Sequence, residues 1–366
     1  MDDSRNLAMA DELCIGCSLP KVFGWLIRWE SNGTIVMRLD PGLRAVLTES
    51  ELLSDIYGRI EDAVGVPIRH IVFEAERAAA KATIDSMVPS RRSRLMRNRV
   101  VMHPASRFLQ LVARLAGLAD THTVFYHVYR GSMAKVRNVF DEDIYAAMVV
   151  GAFESFEGTL YDHDWMELGG ERLLVILPAK EKHDIAARME PELARHRAGD
   201  RTLELCEHCG LPVALNHLRW DIPNAVITDR RSGTRMSFVD GYAFSAVFRE
   251  LIAELGDEIV PIIVEASREY TLRRLEETGF LGRELGREAS YREFIELLPV
   301  YGQGNPRKWE IAGDALEVVI ENPHSPHLLA GQLLAIYESV EGRRGSASIE
   351  DIAYQRVGIT VTPAGD

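Results

Sequence analysis

The chain has 366 residues, 46% of them hydrophobic, 27% charged and 8% aromatic, which is enough to bury a large core and favours two domains over one. Its formal charge of −13 argues against a general nucleic-acid binder, because phosphate attraction needs a basic surface or patch. No run approaches the roughly 18 apolar residues of a membrane span, and the opening MDDSRNLAMADEL is too acidic for a signal peptide, so the expected compartment is the cytoplasm.

The first motif is CIGCSLP, residues 14–20, with Cys14 and Cys17 two residues apart. Three short strands are predicted after it, around 25–30, 34–39 and 43–48, with Asn32-Gly33 as a hairpin turn between the first two. Leu52, Leu53, Ile56, Ile60 and Val64 recur at helical spacing and predict a helix over 49–64 stopped by Gly65. A second helix is predicted from near Pro67. SRRSRLMRNR, residues 90–99, then brings together Arg91, Arg92, Arg94, Arg97 and Arg99, either an anion site or, the preferred reading, a solvated basic linker. A third helix (104–117), strands in TVFYHVYR and KVRNVF, a helix over 142–157 and a closing strand LLVILP complete the first half. The charged stretch 179–200 is predicted to be a helical linker.

The same order then recurs. CEHCGLP places Cys206 and Cys209 192 residues after the first pair (206 − 14 = 192), and the two pairs use every cysteine of the chain. At an offset of 191, Arg28-Trp29 falls on Arg219-Trp220, Gly65 on Gly256, Glu74-Ala75 on Glu265-Ala266 and Arg77 on Arg268. At an offset of 184, Asn138 falls on Asn322, Glu154-Ser155 on Glu338-Ser339 and Glu157-Gly158 on Glu341-Gly342. Two tandem repeats follow from this, 1–178 and 201–366, joined by 179–200. Each is expected to be an α+β unit, an antiparallel sheet covered by helices, and the two to be related by pseudo-two-fold symmetry.

The helix ESELLSDIYGRIEDAVG followed by IVFEAER, and the later VVIENPHSPHLLAGQLLAIYESVEG, resemble the 4-vinyl reductase domain, an α+β family related to subunits of the TRAPP tethering complex and including sensors of aromatic hydrocarbons. The resemblance spans most of the chain as two copies. It implies an apolar pocket for a small organic molecule and pairing of domain copies, within the chain, in a homodimer or with a protein partner. Those sensors carry their zinc-binding cysteines near the domain end, whereas neither repeat here has a cysteine after its knuckle, so the family's ligands do not transfer.

The residues themselves point to a metal. In a reducing compartment, Cys-x-x-Cys pairs are metal ligands or redox couples before they are disulfides. One knuckle supplies two ligands and structural zinc takes four, so Cys14, Cys17, Cys206 and Cys209 are expected to hold one structural zinc between the repeats. Iron remains an alternative, and a dithiol couple another. His208 and His217 lie near the second knuckle but four thiolates leave them no place.

Asp162, His163 and Asp164 alternate faces if they form a strand and cannot converge; HPASR, NPHSPH and GQGN fit loops and caps. No nucleophile elbow, phosphate loop or dinucleotide motif is present, so the enzyme assignment leans to no. The expected ligand pocket draws on Trp29, Trp220, Phe73, Glu74, Glu265 and Phe244, although aromatics at repeated positions are more often simply core, and the glutamates either orient a ligand or pair with Arg28 and Arg219. The functional expectation is binding or sensing of a small hydrophobic or aromatic molecule; the alternatives are an enzyme or accessory acting on an aromatic or tetrapyrrole substrate, and a structural assembly factor.

Overall fold

A computed structural model describes residues 13–87, 99–181, 184–189, 195–279 and 286–365, with the side chains of 87 and 99–103 left aside. Of the arginine cluster, Arg91, Arg92, Arg94 and Arg97 lie outside the described residues. Among those described, no helix is long and apolar enough to cross a membrane.

The architecture is mixed α+β with antiparallel sheets. A helical turn, α1 (Phe23–Leu26), precedes β1 (Ile27–Trp29), β2 (Ile35–Met37) and β3 (Arg44–Glu49); then come α2 (Leu52–Val64), α3 (Arg69–Met87) and α4 (Arg99–Leu115). Next are β4 (Asp120–His127), β5 (Gly131–Arg137), α5 (Glu142–Glu157), β6 (Tyr161–Leu168) and β7 (Glu171–Pro178). The second half repeats the order: β8 (Leu218–Asp221), β9 (Val226–Asp229), β10 (Arg235–Asp240), α6 (Gly241–Leu255), α7 (Ile259–Thr278), α8 (Arg287–Val300), β11 (Asn305–Ala312), β12 (Ala315–Glu321), α9 (Pro326–Glu341), β13 (Gly345–Ala353) and β14 (Arg356–Pro363).

Two four-stranded sheets share one strand order, β4-β5-β7-β6 and β11-β12-β14-β13. The third sheet takes three strands from each half, β1-β2-β3-β10-β9-β8. Its centre is the antiparallel pair β3–β10, in which Leu47 faces Phe238, Val46 faces Val239 and Thr48 faces Ser237. Leu47 therefore meets the residue 191 positions on (238 − 47 = 191).

Further contacts cross between the halves in matched pairs. Buried indole N–H groups need acceptors, and each tryptophan finds one in the other half: Trp29 Nε1 donates to Val300 O at 2.7 Å and Trp220 Nε1 to Leu115 O at 2.8 Å. The Leu47 N–H donates to Tyr301 O at 2.9 Å and the Phe238 N–H to Ala116 O at 2.8 Å. Arg44 donates to Gly302 O and Asn322 O, while Arg235 donates to Gly117 O and Asn138 O. Gly117 and Gly302 have φ of 74° and 71°, Asn138 and Asn322 of 49° and 51°, so each arginine reads the carbonyls of a left-handed chain reversal. The first strands of each half thus dock on the third-helix end of the other, and one hydrophobic core runs through both.

Most predicted elements are present, with physical reasons for the differences. α2 begins at Leu52 rather than 49 because Glu49 stays in β3, its carboxylate accepting from Tyr270 and Arg274. β13 has no counterpart among the predicted strands; GSASIEDIA is mostly exposed edge strand without an apolar run. The helical linker is a correction: the described part of 179–200 is a 3₁₀ turn at Asp184–Ala187 and then non-helical at 195–200. There the backbone bonds outward instead of along itself, with Arg197 N–H donating to Asn322 Oδ1 and Asn32 Nδ2 donating to Arg197 O.

Arg44 is buried, and burial pushes its guanidinium down to about 10. Arg44→Met leaves several buried carbonyls without a donor and is expected to lower unfolding free energy by about 3 kcal/mol. Arg28→Met, on the exposed side of β1, should change it by less than about 0.5 kcal/mol; guanidinium denaturation midpoints of the two variants check this.

Candidate metal centre and apolar cavity

Both knuckles fold by the same local rules. Leu13 bridges to Pro20 and Leu205 to Pro212. Cys14 N–H donates to Leu19 O and Ser18 N–H to Cys14 O; Cys206 N–H donates to Leu211 O and Gly210 N–H to Cys206 O, each at 2.8 Å. Ser18 and Gly210, which follow the second cysteines, have φ of 59° and 70°, the reversal that a small residue permits.

All four Sγ atoms lie within 4.8 Å of one another. The short distances cross between halves, Cys14 to Cys206 at 3.6 Å and Cys17 to Cys209 at 3.4 Å, too long for an S–S bond of about 2.05 Å. Four sulfurs placed tetrahedrally at about 2.3 Å from one ion are about 3.8 Å apart, so the cluster fits a possible four-thiolate metal site. Backbone donors are aimed at it. The N–H groups of His208 and Cys209 hold the Cys206 thiol down to about 6. Burial pushes the Cys17 and Cys209 thiols up, against N–H groups of Leu19 and Leu211 that favour their ionised forms. Such amide donors are the outer shell a metal thiolate requires.

The two histidines stand aside. His208 is exposed, its ring against Gly16, where an added Cβ would lie 2.6 Å from His208 Cδ2. His217 Nε2 is 3.2 Å from Tyr301 Oη and 3.7 Å from Asp229.

The second feature is a cavity of about 250 Å³ in the first half. α3 contributes Glu76, Ala80 and Thr83, α4 contributes Leu109 and Ala113, α5 contributes Met148 and Phe153, and β10 closes it with Phe238 and Asp240. Its lining is apolar apart from a few groups. Glu76 is 1% exposed, and Glu76 Oε1 has no hydrogen-bond partner among the described residues. Burial pushes the Glu76 carboxyl well up, with Asp240 and Asp141 adding to the effect, and burial likewise raises Asp240.

None of the six side chains expected at a ligand pocket lines this cavity. Trp29 and Trp220 are committed to the contacts between halves. Glu74 bonds Arg77, three residues on and one helical turn away, and Arg77 also reaches Glu154 at 3.6 Å. Glu265 bonds Arg268, which reaches Glu338 at 2.7 Å. Neither glutamate pairs with the arginines named from sequence; Arg28 is exposed and bonds Glu30 instead. Phe73 stacks on His163 with centroids 4.8 Å apart, and Phe244 is core, 1% exposed, edge-on to His324.

The other candidates are structural. Asp162 and Asp164 are exposed on β6 with His163 on the opposite face. In NPHSPH, Ser325 caps α9 and His324 is buried, its imidazole pushed down to about 3 by desolvation. GQGN is the turn before β11. What the sequence reading missed is the set Glu76, Thr83 and Asp240; the signal available was a glutamate and a threonine on the apolar face of a helix otherwise rich in alanine.

No protein-family model, curated protein or solved structure matches this chain.

A carboxyl raised on folding holds its proton more tightly folded than unfolded, so stability falls as pH rises above its unfolded value of 4.5. Each such group contributes a slope of up to about 1.4 kcal/mol per pH unit. Glu76→Gln removes one, and its urea-derived stability between pH 5 and 7 should decline less steeply than that of the unaltered chain.

Proposed function

We propose that the chain is a non-enzymatic binding protein for a small hydrophobic or aromatic molecule, built as two copies of one α+β unit related by a pseudo-two-fold axis and joined by a structural zinc. The observation that carries the metal reading is the convergence of Cys14, Cys17, Cys206 and Cys209 from positions 192 residues apart. Supporting the two-copy reading are the paired register at Leu47 and Phe238, the matched docking of Trp29 and Trp220, and the shared strand order of the two outer sheets. An apolar cavity is what the 4-vinyl-reductase-like resemblance implies, and the cavity of the first half supports it.

Four protein thiolates complete a tetrahedral shell and leave no position for water or substrate, so the zinc in this reading holds the halves together and does no chemistry. The ligand site is then the cavity, where apolar walls supply most of the binding and a few polar groups orient. Free thiols placed this way suit a reducing compartment, the cytoplasm.

Elemental analysis of protein purified without chelators should give about one zinc per chain. Cys14→Ser and Cys206→Ser, one from each knuckle, should each lose the metal and several kcal/mol of stability. Less than about half an equivalent of any transition metal, or a metal retained by both variants, would overturn the joint-site reading.

A further inference from the structure

The two halves differ at one place that the matched register makes comparable. A smaller cavity, about 120 Å³, occupies the second half in the position that the larger one has in the first. The crossing bonds at Leu115/Val300 and Ala116/Tyr301 fix an offset of 185 at the third-helix ends (300 − 115 = 185). Ala113 and Ala116 of the larger cavity thereby correspond to Leu298 and Tyr301 of the smaller. Small residues open one site where large ones close the other.

The polar groups differ in the same direction. In the second half Glu49, from the neighbouring strand, is neutralised inside the protein: Arg274 Nε donates to Glu49 Oε2 at 2.9 Å and the Tyr270 hydroxyl at 2.6 Å. At the offset of 191, Glu49 corresponds to Asp240 and Arg274 to Thr83. Asp240 receives a hydroxyl from Thr83 at 3.2 Å, the N–H of Tyr242 at 2.7 Å and the N–H of Ala243. Among the described residues no cation replaces the arginine. A second carboxyl is added, Glu76, where the second half has Ser267, whose hydroxyl is spent on Leu328 O. The one basic residue lining the cavity among the described residues, Arg44, has its guanidinium committed to the carbonyls of Gly302, Asn322 and Pro323.

An apolar cavity with one buried carboxyl, Glu76, one oxygen of which has no donor among the described residues, and a half-buried one, Asp240, and without the arginine of its counterpart, defines what would fill it. We propose that the cavity binds an apolar molecule ending in a basic nitrogen, with the ammonium N–H groups donated to Glu76 and Asp240 and the hydrocarbon or aromatic body against Leu109, Met148 and Phe153. This rests on the reading of the cavity as a ligand site and names its ligand class, an apolar primary or secondary amine.

The test is calorimetric titration of the full chain with three probes of one shape: 4-phenylbutylamine, 4-phenylbutan-1-ol and 4-phenylbutanoate. The amine should bind at least about tenfold more tightly than the alcohol, since a charge-assisted hydrogen bond exceeds a neutral one, and the carboxylate most weakly. Glu76→Gln should bring the amine to within about threefold of the alcohol and leave the alcohol unchanged. Thr83→Lys, which restores a cation inside the protein, should abolish the preference in the same way. Alcohol binding equal to or tighter than amine binding, or an amine preference that survives both variants, overturns the amine assignment while leaving the cavity a ligand site. Absence of binding by all three overturns both.

Discussion

Pairing of β3 with β10 is the constraint from which the remaining contacts follow. Once Leu47 faces Phe238, the two first-strand units lie side by side and each must project toward the third helix of the opposite half. Trp29 then reaches Val300 and Trp220 reaches Leu115, and the knuckles at the head of each half come within sulfur-to-sulfur contact. The bonds are directional as well as apolar. Buried Arg44 and half-buried Arg235 donate to carbonyls across the joint, so separating the halves would strand charged donors and carbonyl acceptors together. We read this as exchange: each half supplies strands that complete its partner, and the largest core cluster draws on both halves.

Much of the fold is legible in the sequence because its signals are local. The Gly65 and Gly158 stops, the Asp141 and Ser325 caps and the helical spacing of Leu52 to Val64 each act within one turn, and helices stand where they point. The cysteine cluster is legible for a different reason: a two-ligand knuckle is half a site, and its copy supplies the other half. The matched tryptophans carry an equally real signal that two uses share. An indole repeated at the same strand position satisfies the demands of a ligand wall and of a crossing contact alike, and sequence does not say where its N–H finds an acceptor. For Glu74 and Glu265 the error was one of distance along the chain, since the partner was the arginine one helical turn away. The cavity was invisible because it is made by small residues, and Ala113 and Ala116 signify space only when set against Leu298 and Tyr301.

The shared element order gives this protein an internal comparison. The two halves share strand order, caps and crossing bonds, so differences between them mark what each does beyond folding. The second half fills its inter-element space with tyrosine, leucine and an arginine–glutamate pair. The first leaves that space open and lines it with Glu76 and Asp240, with which no cation among the described residues forms an ion pair. A polar group left without a partner costs stability, and Glu76 Oε1, without a partner among the described residues, stands in the half that also has the larger cavity.

The claim on which the rest depends is the exchange of strands across the joint, and it is tested most directly by hydrogen exchange at two backbone amides, Leu47 and Phe238. Each donates to a carbonyl of the opposite half, so neither opens unless the halves part. The account predicts that both exchange at the slow rate set by global unfolding, and together, with the same dependence on denaturant. Rapid exchange of either amide while the helices α5 and α9 of both halves remain protected would contradict it.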